Sequence, residues 1–242
     1  MEELEKKVLN YWTVRAHDFS VVRRNEIHDE ISTRWRAELL KHLPEDGLRI
    51  LDVGTGTGYF AALLAAMGHE VTGIDLTPAM IDEAKSFARD LGVSAHFEVM
   101  DAQALSYPDE SFDAVVTRNL TWTLPEPERA YSEWLRVLRR GGVLLNFDAS
   151  YGDNVRGNEK NATRLPQGSV YGHCGMTPEL ESENAQITLA MPISEKQRPE
   201  WDARLLKALG CTDCGFDKGV GARILGDRDL KDAPLFLIHA KK

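Results

Sequence analysis

The sequence predicts an α/β fold built on a seven-stranded, mostly parallel sheet with helices on both faces. Three observations predict it. Short apolar runs alternate with stretches of helical period, the order that a parallel sheet requires. The run Arg49–Val53 leads into a glycine-rich loop, Gly54-Thr55-Gly56-Thr57-Gly58, that opens a helix. Aspartates close the first two runs and follow the third, at Asp52, Asp75 and Asp101.

The elements follow in order. Residues 4–43 read as helices, with Leu4, Val8 and Tyr11 on one face and Ile27, Ile31, Trp35, Leu39 and Leu43 on another. Pro44-Glu45-Asp46-Gly47 breaks that pattern. After the strand Arg49–Val53 come a helix Tyr59–Met67 stopped by Gly68, a strand Val71–Asp75, and a helix opened by Thr77-Pro78 and stopped at Gly92. Strands are expected at His96–Met100 and Phe112–Thr117, a helix at Pro127–Leu138, and a fifth strand at Val143–Phe147. From Ser150 to Ile193 the apolar rhythm stops, and a stretch this long without pattern reads as a functional lid. A helix Arg198–Leu209, a strand near Phe216–Ile224 and a last strand Pro234–Ala240 complete the sheet. The expected organisation is one domain over residues 1–242: a helical cap (1–45), a core (46–149), an inserted lid (150–195) and a C-terminal helix with strands (196–242).

With 29 basic and 38 acidic side chains the formal charge is −9, and such a surface repels phosphate backbones. Nucleic acid is therefore not an expected partner. No apolar run is long enough to cross a bilayer, and the charged start Met1–Lys7 lacks the apolar core of a signal peptide. With three cysteines, two of them only three positions apart, the expectation is a reduced, cytoplasmic protein with no membrane partner.

The glycine loop narrows the ligand. A dinucleotide fingerprint has its third glycine one residue later than Gly58, and position 59 here is Tyr. A phosphate-binding P-loop needs a Gly-Lys-Ser/Thr sequence, and no basic residue lies between Asp52 and Ala66. The pattern suits a nucleoside without phosphates, and S-adenosylmethionine fits that description. Asp75, at the end of the second strand, is placed to accept hydrogen bonds from two ribose hydroxyls and would repel a 2′-phosphate. Asp101 suits an exocyclic amino group, and the N–H of Ala102 or Gln103 suits a ring nitrogen.

These segments resemble the class I S-adenosylmethionine-dependent methyltransferases of the small-molecule type. The resemblance is carried by Leu51–Phe60, by Gly73-Ile74-Asp75-Leu76-Thr77-Pro78-Ala79-Met80, by Asp101-Ala102, by Ser111–Thr117 and by Val137–Gly142. It implies a Rossmann-like sheet. It also implies contacts of Gly54, Thr55 and Gly56 with the methionine part, Asp75 and Leu76 with the ribose, Met80 with the adenine face, and Asp101 and Ala102 with its edge. Arg139-Arg140-Gly141-Gly142 stands where the family usually has Lys-Pro-Gly-Gly, a change confined to a turn.

Methyl transfer asks mainly for in-line positioning and exclusion of water, and needs a base only when the acceptor must lose a proton. By the same resemblance Arg118 contacts the cofactor, Asn119 faces the acceptor, and Tyr11 in an aromatic N-terminal segment closes over the cofactor with Phe19. Trp122 reads as an acceptor wall or as an apolar anchor of its loop. Tyr171 and His173 are the chemical residues of the expected lid, with His173 and Asp148 as candidate bases. Cys211-Thr212-Asp213-Cys214 offers two of the four ligands that structural zinc needs, and Cys174 a third thiolate; no metal site is expected. The expected partner is a small-molecule methyl acceptor, with a homodimer paired through the lid or the N-terminal helices as the expected assembly. The rivals are a nicotinamide oxidoreductase, a non-catalytic S-adenosylmethionine-binding protein, and a methyltransferase acting on proteins or on a metalloid.

Overall fold

A computed structural model describes residues 3–43, 47–161 and 174–242 of the 242, with the side chains of 158–161 excepted. Two helices come first, α1 (Glu3–Glu26) and α2 (Glu30–Leu40). The alternating part is β1 (Arg49–Val53), α3 (Tyr59–Ala66), β2 (Glu70–Asp75), α4 (Pro78–Leu91), β3 (His96–Val99), β4 (Phe112–Arg118), α5 (Pro127–Val137) and β5 (Leu138–Asp148). It is followed by α6 (Tyr151–Asn161), α7 (Pro178–Ala190), α8 (Glu200–Ala208), β6 (Thr212–Asp217), α9 (Val220–Ile224) and β7 (Phe236–Lys241).

The seven strands form one sheet in the order β3-β2-β1-β4-β5-β7-β6. The first five are parallel, and β7 runs antiparallel between β5 and β6. After β3 the chain crosses back to place β4 beside β1. The strand order thus reverses at β1/β4, where open α/β sheets receive their ligands. The register lines up the carboxyl ends: Val53 pairs with Ile74 and Thr117, Asp75 with Val99, and Arg118 with Phe147.

Period-two alternation divides the core. Ile50, Ala114, Val116 and Leu145 pack with Trp35, Leu39, Phe60 and Phe87 on one face. Leu51, Val53, Val115 and Leu144 pack with Trp134, Leu138 and Leu206 on the other. Each such fully buried large side chain contributes about 1.5–3 kcal/mol relative to exposure. Local signals set the helix ends. Thr77 and Pro78 open α4, and Gly92, with φ +66°, closes it in the left-handed region.

Three expectations are revised. The stretch after Ser150 lacks a clear apolar rhythm but is not irregular, because α6 and α7 account for most of its described residues. Helix α7 was hidden because it buries little, only Ile187 and Thr188, with Ile187 packed against Val8 and Tyr11 of α1. Residues 220–224 form α9 rather than the end of a strand. Asp217 Oδ1 accepts from the Gly219 N–H (2.7 Å) and turns the chain, so Val220 and Ile224 fall one helical turn apart on a buried face. Strand β5 begins at Leu138, five residues before the expected start, with a register shift opposite Phe112–Ala114.

Candidate active site

The carboxyl edge of β1 and β2 is held together by backbone and carboxylates. The Thr55 N–H donates to Ile74 O (2.8 Å), drawing the glycine loop across to β2. Gly54, Gly56 and Gly58 have φ of +67°, +53° and +82°. The tightest requirements are at Gly54, where an added Cβ would lie 2.6 Å from Leu120 Cδ1, and at Gly58, where it would lie 2.9 Å from Ala84 Cβ. The Asp75 carboxylate accepts from the Gly56 N–H (3.0 Å) and the Thr77 N–H (2.9 Å). The Thr77 side chain bonds to it as well, and part of its roughly four acceptor positions is left for a ribose hydroxyl. Loss of hydration raises the Asp75 pKa against the pull of those N–H groups.

Beneath the loop, Asp52 is buried and accepts from Thr55 Oγ1 (2.6 Å). Desolvation, helped by the charge of Asp75, pushes its pKa up to about 7, with Thr55, Ala61 and the charge of Arg118 pulling the other way. On the adjoining strand end, Asp101 Oδ1 accepts from the Gln103 N–H (2.8 Å), Ala102 is buried, and Ala102 O accepts from Trp134 Nε1 (2.9 Å). Met80 is buried at the start of α4, and Leu76 is half-buried. Gly54, Thr55, Gly56, Asp75, Leu76, Met80, Asp101 and Ala102 are thus carried on the aligned ends of β1–β3 and on the helix that follows β2.

A second set comes from β4, β5 and α1. The Asn119 N–H donates to Phe147 O (2.7 Å), and Asn119 O accepts from Trp122 Nε1 (2.9 Å). Asn119 takes φ +55°, and its buried Oδ1 has no hydrogen-bond partner among the described residues. Trp122 meets Tyr151 of α6 at 5.0 Å and Trp12 of α1 at 6.3 Å, and Trp12 meets Phe19 at 5.5 Å. Phe19 lies over the glycine loop, 3.8 Å from where a Cβ on Gly56 would sit. A row of aromatic rings therefore runs from α6 to the glycines.

The Arg118 side chain is held by α1 and by a cage of rings. Its guanidinium is bonded to Glu26 of α1 (2.9 Å) and lies 4.5 Å over the Trp35 ring and 5.0 Å over the Tyr59 ring. Glu26 also pairs with Arg23, which lies 4.6 Å over Phe19. Burial raises the Glu26 pKa, but Arg118 and Arg23 more than reverse this and hold it below the ordinary value. Tyr11 is packed between α1 and α7, its hydroxyl 3.8 Å from Met176 Sδ.

Asp148 has no exposed surface. Its Oδ2 accepts from Arg198 Nη1 (2.9 Å), and Arg198 also holds Asp202 (2.9 and 3.0 Å). Tyr131 donates to Asp202 (2.7 Å), and Asn146 Nδ2 reaches both Tyr131 (2.6 Å) and Thr121 (2.8 Å). Burial raises the Asp148 pKa, with Arg198 opposing. A carboxylate tied to Arg198 inside a closed network is not placed to take a proton from an acceptor. Asp148 as a base is therefore replaced by Asp148 as a group that holds the end of β5. Tyr171 and His173 lie outside the described residues. Sequence reasoning missed this network and the Arg23–Glu26–Arg118 cluster. The readable signal was the i,i+4 spacing of Arg198 and Asp202.

A family model described as a methyltransferase domain matches residues 51–146. Over 153 residues the chain is 36% identical to a phosphatidylethanolamine N-methyltransferase from Cereibacter sphaeroides, covering 61% of this chain and 70% of that one. The chain belongs to the class I S-adenosylmethionine-dependent methyltransferases. The enzyme is also 42% identical over 121 residues to a demethylmenaquinone methyltransferase from Deinococcus radiodurans, 47% of this chain and about half (49%) of that one. In fold it is similar to a Haemonchus contortus phosphoethanolamine N-methyltransferase solved with phosphomonomethylethanolamine and S-adenosylhomocysteine (TM-score 0.60, 17% identity, 86% of this chain and 52% of that one). The methyltransferase uses S-adenosylmethionine, and the cradle fits that ligand: three left-handed glycines, spare acceptor capacity on Asp75 and no phosphate-neutralising base. Among the described residues no helix is long and apolar enough to cross a membrane. No group of three or more candidate metal ligands comes together among them.

Proposed function

We propose that this methyltransferase transfers the methyl group to a small-molecule acceptor, at O, N or S, held between α1 and the segments that follow β4 and β5. The observation that carries this reading is the aromatic row. Trp122 and Tyr151 follow β4 and β5, Trp12 and Phe19 come from α1, and Phe19 reaches the glycine loop. Such a wall offers apolar faces to an acceptor and excludes water from the methyl's path. Relatives named for phosphatidylethanolamine and for demethylmenaquinone support a small acceptor.

S-adenosylmethionine, when bound, supplies a methyl group already activated by its sulfonium, so no strong protein nucleophile is required. Gly54, Thr55 and Gly56 bind its methionine part through backbone. Asp75 and Leu76 take the ribose, Met80 covers the adenine, and Asp101 and Ala102 receive its edge. Arg118 contributes by fixing α1 over the site through Glu26. Asn119 offers its unpaired Oδ1 to the acceptor, and Trp122 walls it. The test is calorimetric titration with S-adenosylmethionine followed by transfer of radiolabelled methyl to phosphatidylethanolamine, phosphoethanolamine and demethylated quinones. Binding with label in one small-molecule product is expected. Absence of binding by folded protein, or label found only in protein, overturns the reading.

A further inference from the structure

The motif that methyl transfer does not absorb is Cys211-Thr212-Asp213-Cys214. It lies at the junction of α8 and β6, on the edge strand of the sheet. In a regular strand, side chains three positions apart point to opposite faces. Here the register of β6 against β7 slips between Thr212 and Gly215, and Asp213 takes φ +50°. That bulge turns both cysteines to one side. Cys211 is buried, Cys214 is half-buried, and both pack into the same apolar cluster. The two thiols interact with each other. Cys174, the third cysteine, is exposed in another part of the molecule, where its carbonyl accepts from Arg15 of α1 (2.6 Å).

We infer that Cys211 and Cys214 are a redox modification site, a dithiol that a low-molecular-weight disulfide such as glutathione disulfide converts to an intrachain disulfide. Cys214, the more exposed, loses its proton and attacks one sulfur of the glutathione disulfide, releasing one glutathione thiolate, which takes that proton. Cys211 then loses its proton and attacks Cys214 Sγ, releasing the second glutathione, which is protonated in turn. Two protein thiols are oxidised, one disulfide is reduced to two thiols, and atoms and electrons balance. Burial pushes the Cys211 thiol up to about 12, with Lys242 opposing, and also raises Cys214, which its hydrogen bond with Cys211 and the charge of Lys207 oppose. The reduced pair therefore gains no thiolate stabilisation of the kind that makes a dithiol prefer its reduced form. Two thiols fall short of the four ligands of structural zinc, so redox chemistry is the better use of the pair.

The test uses the full chain and Cys174→Ser in glutathione buffers of graded ratio, with free thiols alkylated and the masses read. In Cys174→Ser both thiols should disappear together with the loss of two hydrogens, and peptide mapping should join 211 to 214. Cys211→Ser in the same background should retain glutathione on Cys214, since nothing resolves the mixed disulfide. A control in urea, with circular dichroism confirming that the untreated chain is folded, compares closure in the unfolded chain. The inference is overturned if the two-cysteine chain accumulates the glutathione adduct, if both thiols stay free in excess glutathione disulfide, or if the unfolded chain closes the bridge more readily than the folded one.

Discussion

The two halves of the site are built on different principles. On the donor side the holding groups lie within one β-α-β unit: Asp52 with Thr55, and Asp75 with Thr77 and, 19 positions back across one helix, Gly56. On the acceptor side the partners come from far along the chain. Asp148 is held by Arg198, Arg118 by Glu26, and Trp122 by rings from α1 and α6. A donor site shared by many enzymes can be written locally. An acceptor site is assembled from whatever segments the chain brings over the sheet.

The comparison is broken hardest at Arg198. Arg198→Ala leaves Asp148 and Asp202 buried without their cation, and breaking such a pair costs about 3–5 kcal/mol. Denaturant unfolding should show that loss, while S-adenosylhomocysteine affinity measured at low temperature stays within a few-fold of the parent. A collapse of cofactor binding in a sample still folded would mean that the halves are coupled.

Asp52 and Gly58 probe the donor half in turn. The folded Asp52 holds its proton to about pH 7, whereas an unfolded aspartate releases it near 4. Between those values the folded state binds the extra proton, so this residue's contribution to stability falls as pH rises, by up to about 1.4 kcal/mol per pH unit, and is constant above the window. Asp52→Asn, which does not titrate, should therefore gain stability relative to the parent from pH 4 to 7 in urea titrations. A difference between the two that does not change with pH refutes the buried, protonated carboxyl. Gly58→Ala combines a left-handed backbone with a Cβ 2.9 Å from Ala84 Cβ and 3.1 Å from its Cα, and should lower stability by about 2–3 kcal/mol in the same assay.

Asp75→Asn keeps the shape and removes the charge that meets the ribose. Hydrogen bonds to a charged group contribute about 1.5–3 kcal/mol, so S-adenosylmethionine should bind roughly ten- to a hundred-fold more weakly. Calorimetry decides this, and unchanged affinity removes Asp75 from the ribose site.

The same contrast explains what was legible in the sequence. The strands β1–β4, the glycine loop and the three aspartates are read from spacing, because their partners lie close in sequence or in register. Helix α7 was not legible, since a helix that buries only Ile187 and Thr188 carries little apolar period. Val220 and Ile224 looked like strand residues because β-branching favours strands, and the turn set by Asp217 and Gly219 overrode that preference. Asp148 read as a base because nothing local announces an arginine fifty positions on.

The smallest effect sharpens the comparison most. Trp122 touches Tyr151 and Trp12 and bonds to Asn119 O, and these contacts reach neither the glycine loop nor Asp75. Trp122→Phe keeps an aromatic face and loses the Nε1 donor, so Asn119 and its left-handed turn lose one restraint. A neutral hydrogen bond is worth about 1 kcal/mol, which corresponds to roughly a five-fold change. That change should appear in kcat/KM for the acceptor, with the S-adenosylmethionine Kd unmoved. If the Kd moves and the acceptor parameters do not, the aromatic row belongs to the donor half, and the acceptor must be sought on another side of the sheet's carboxyl edge.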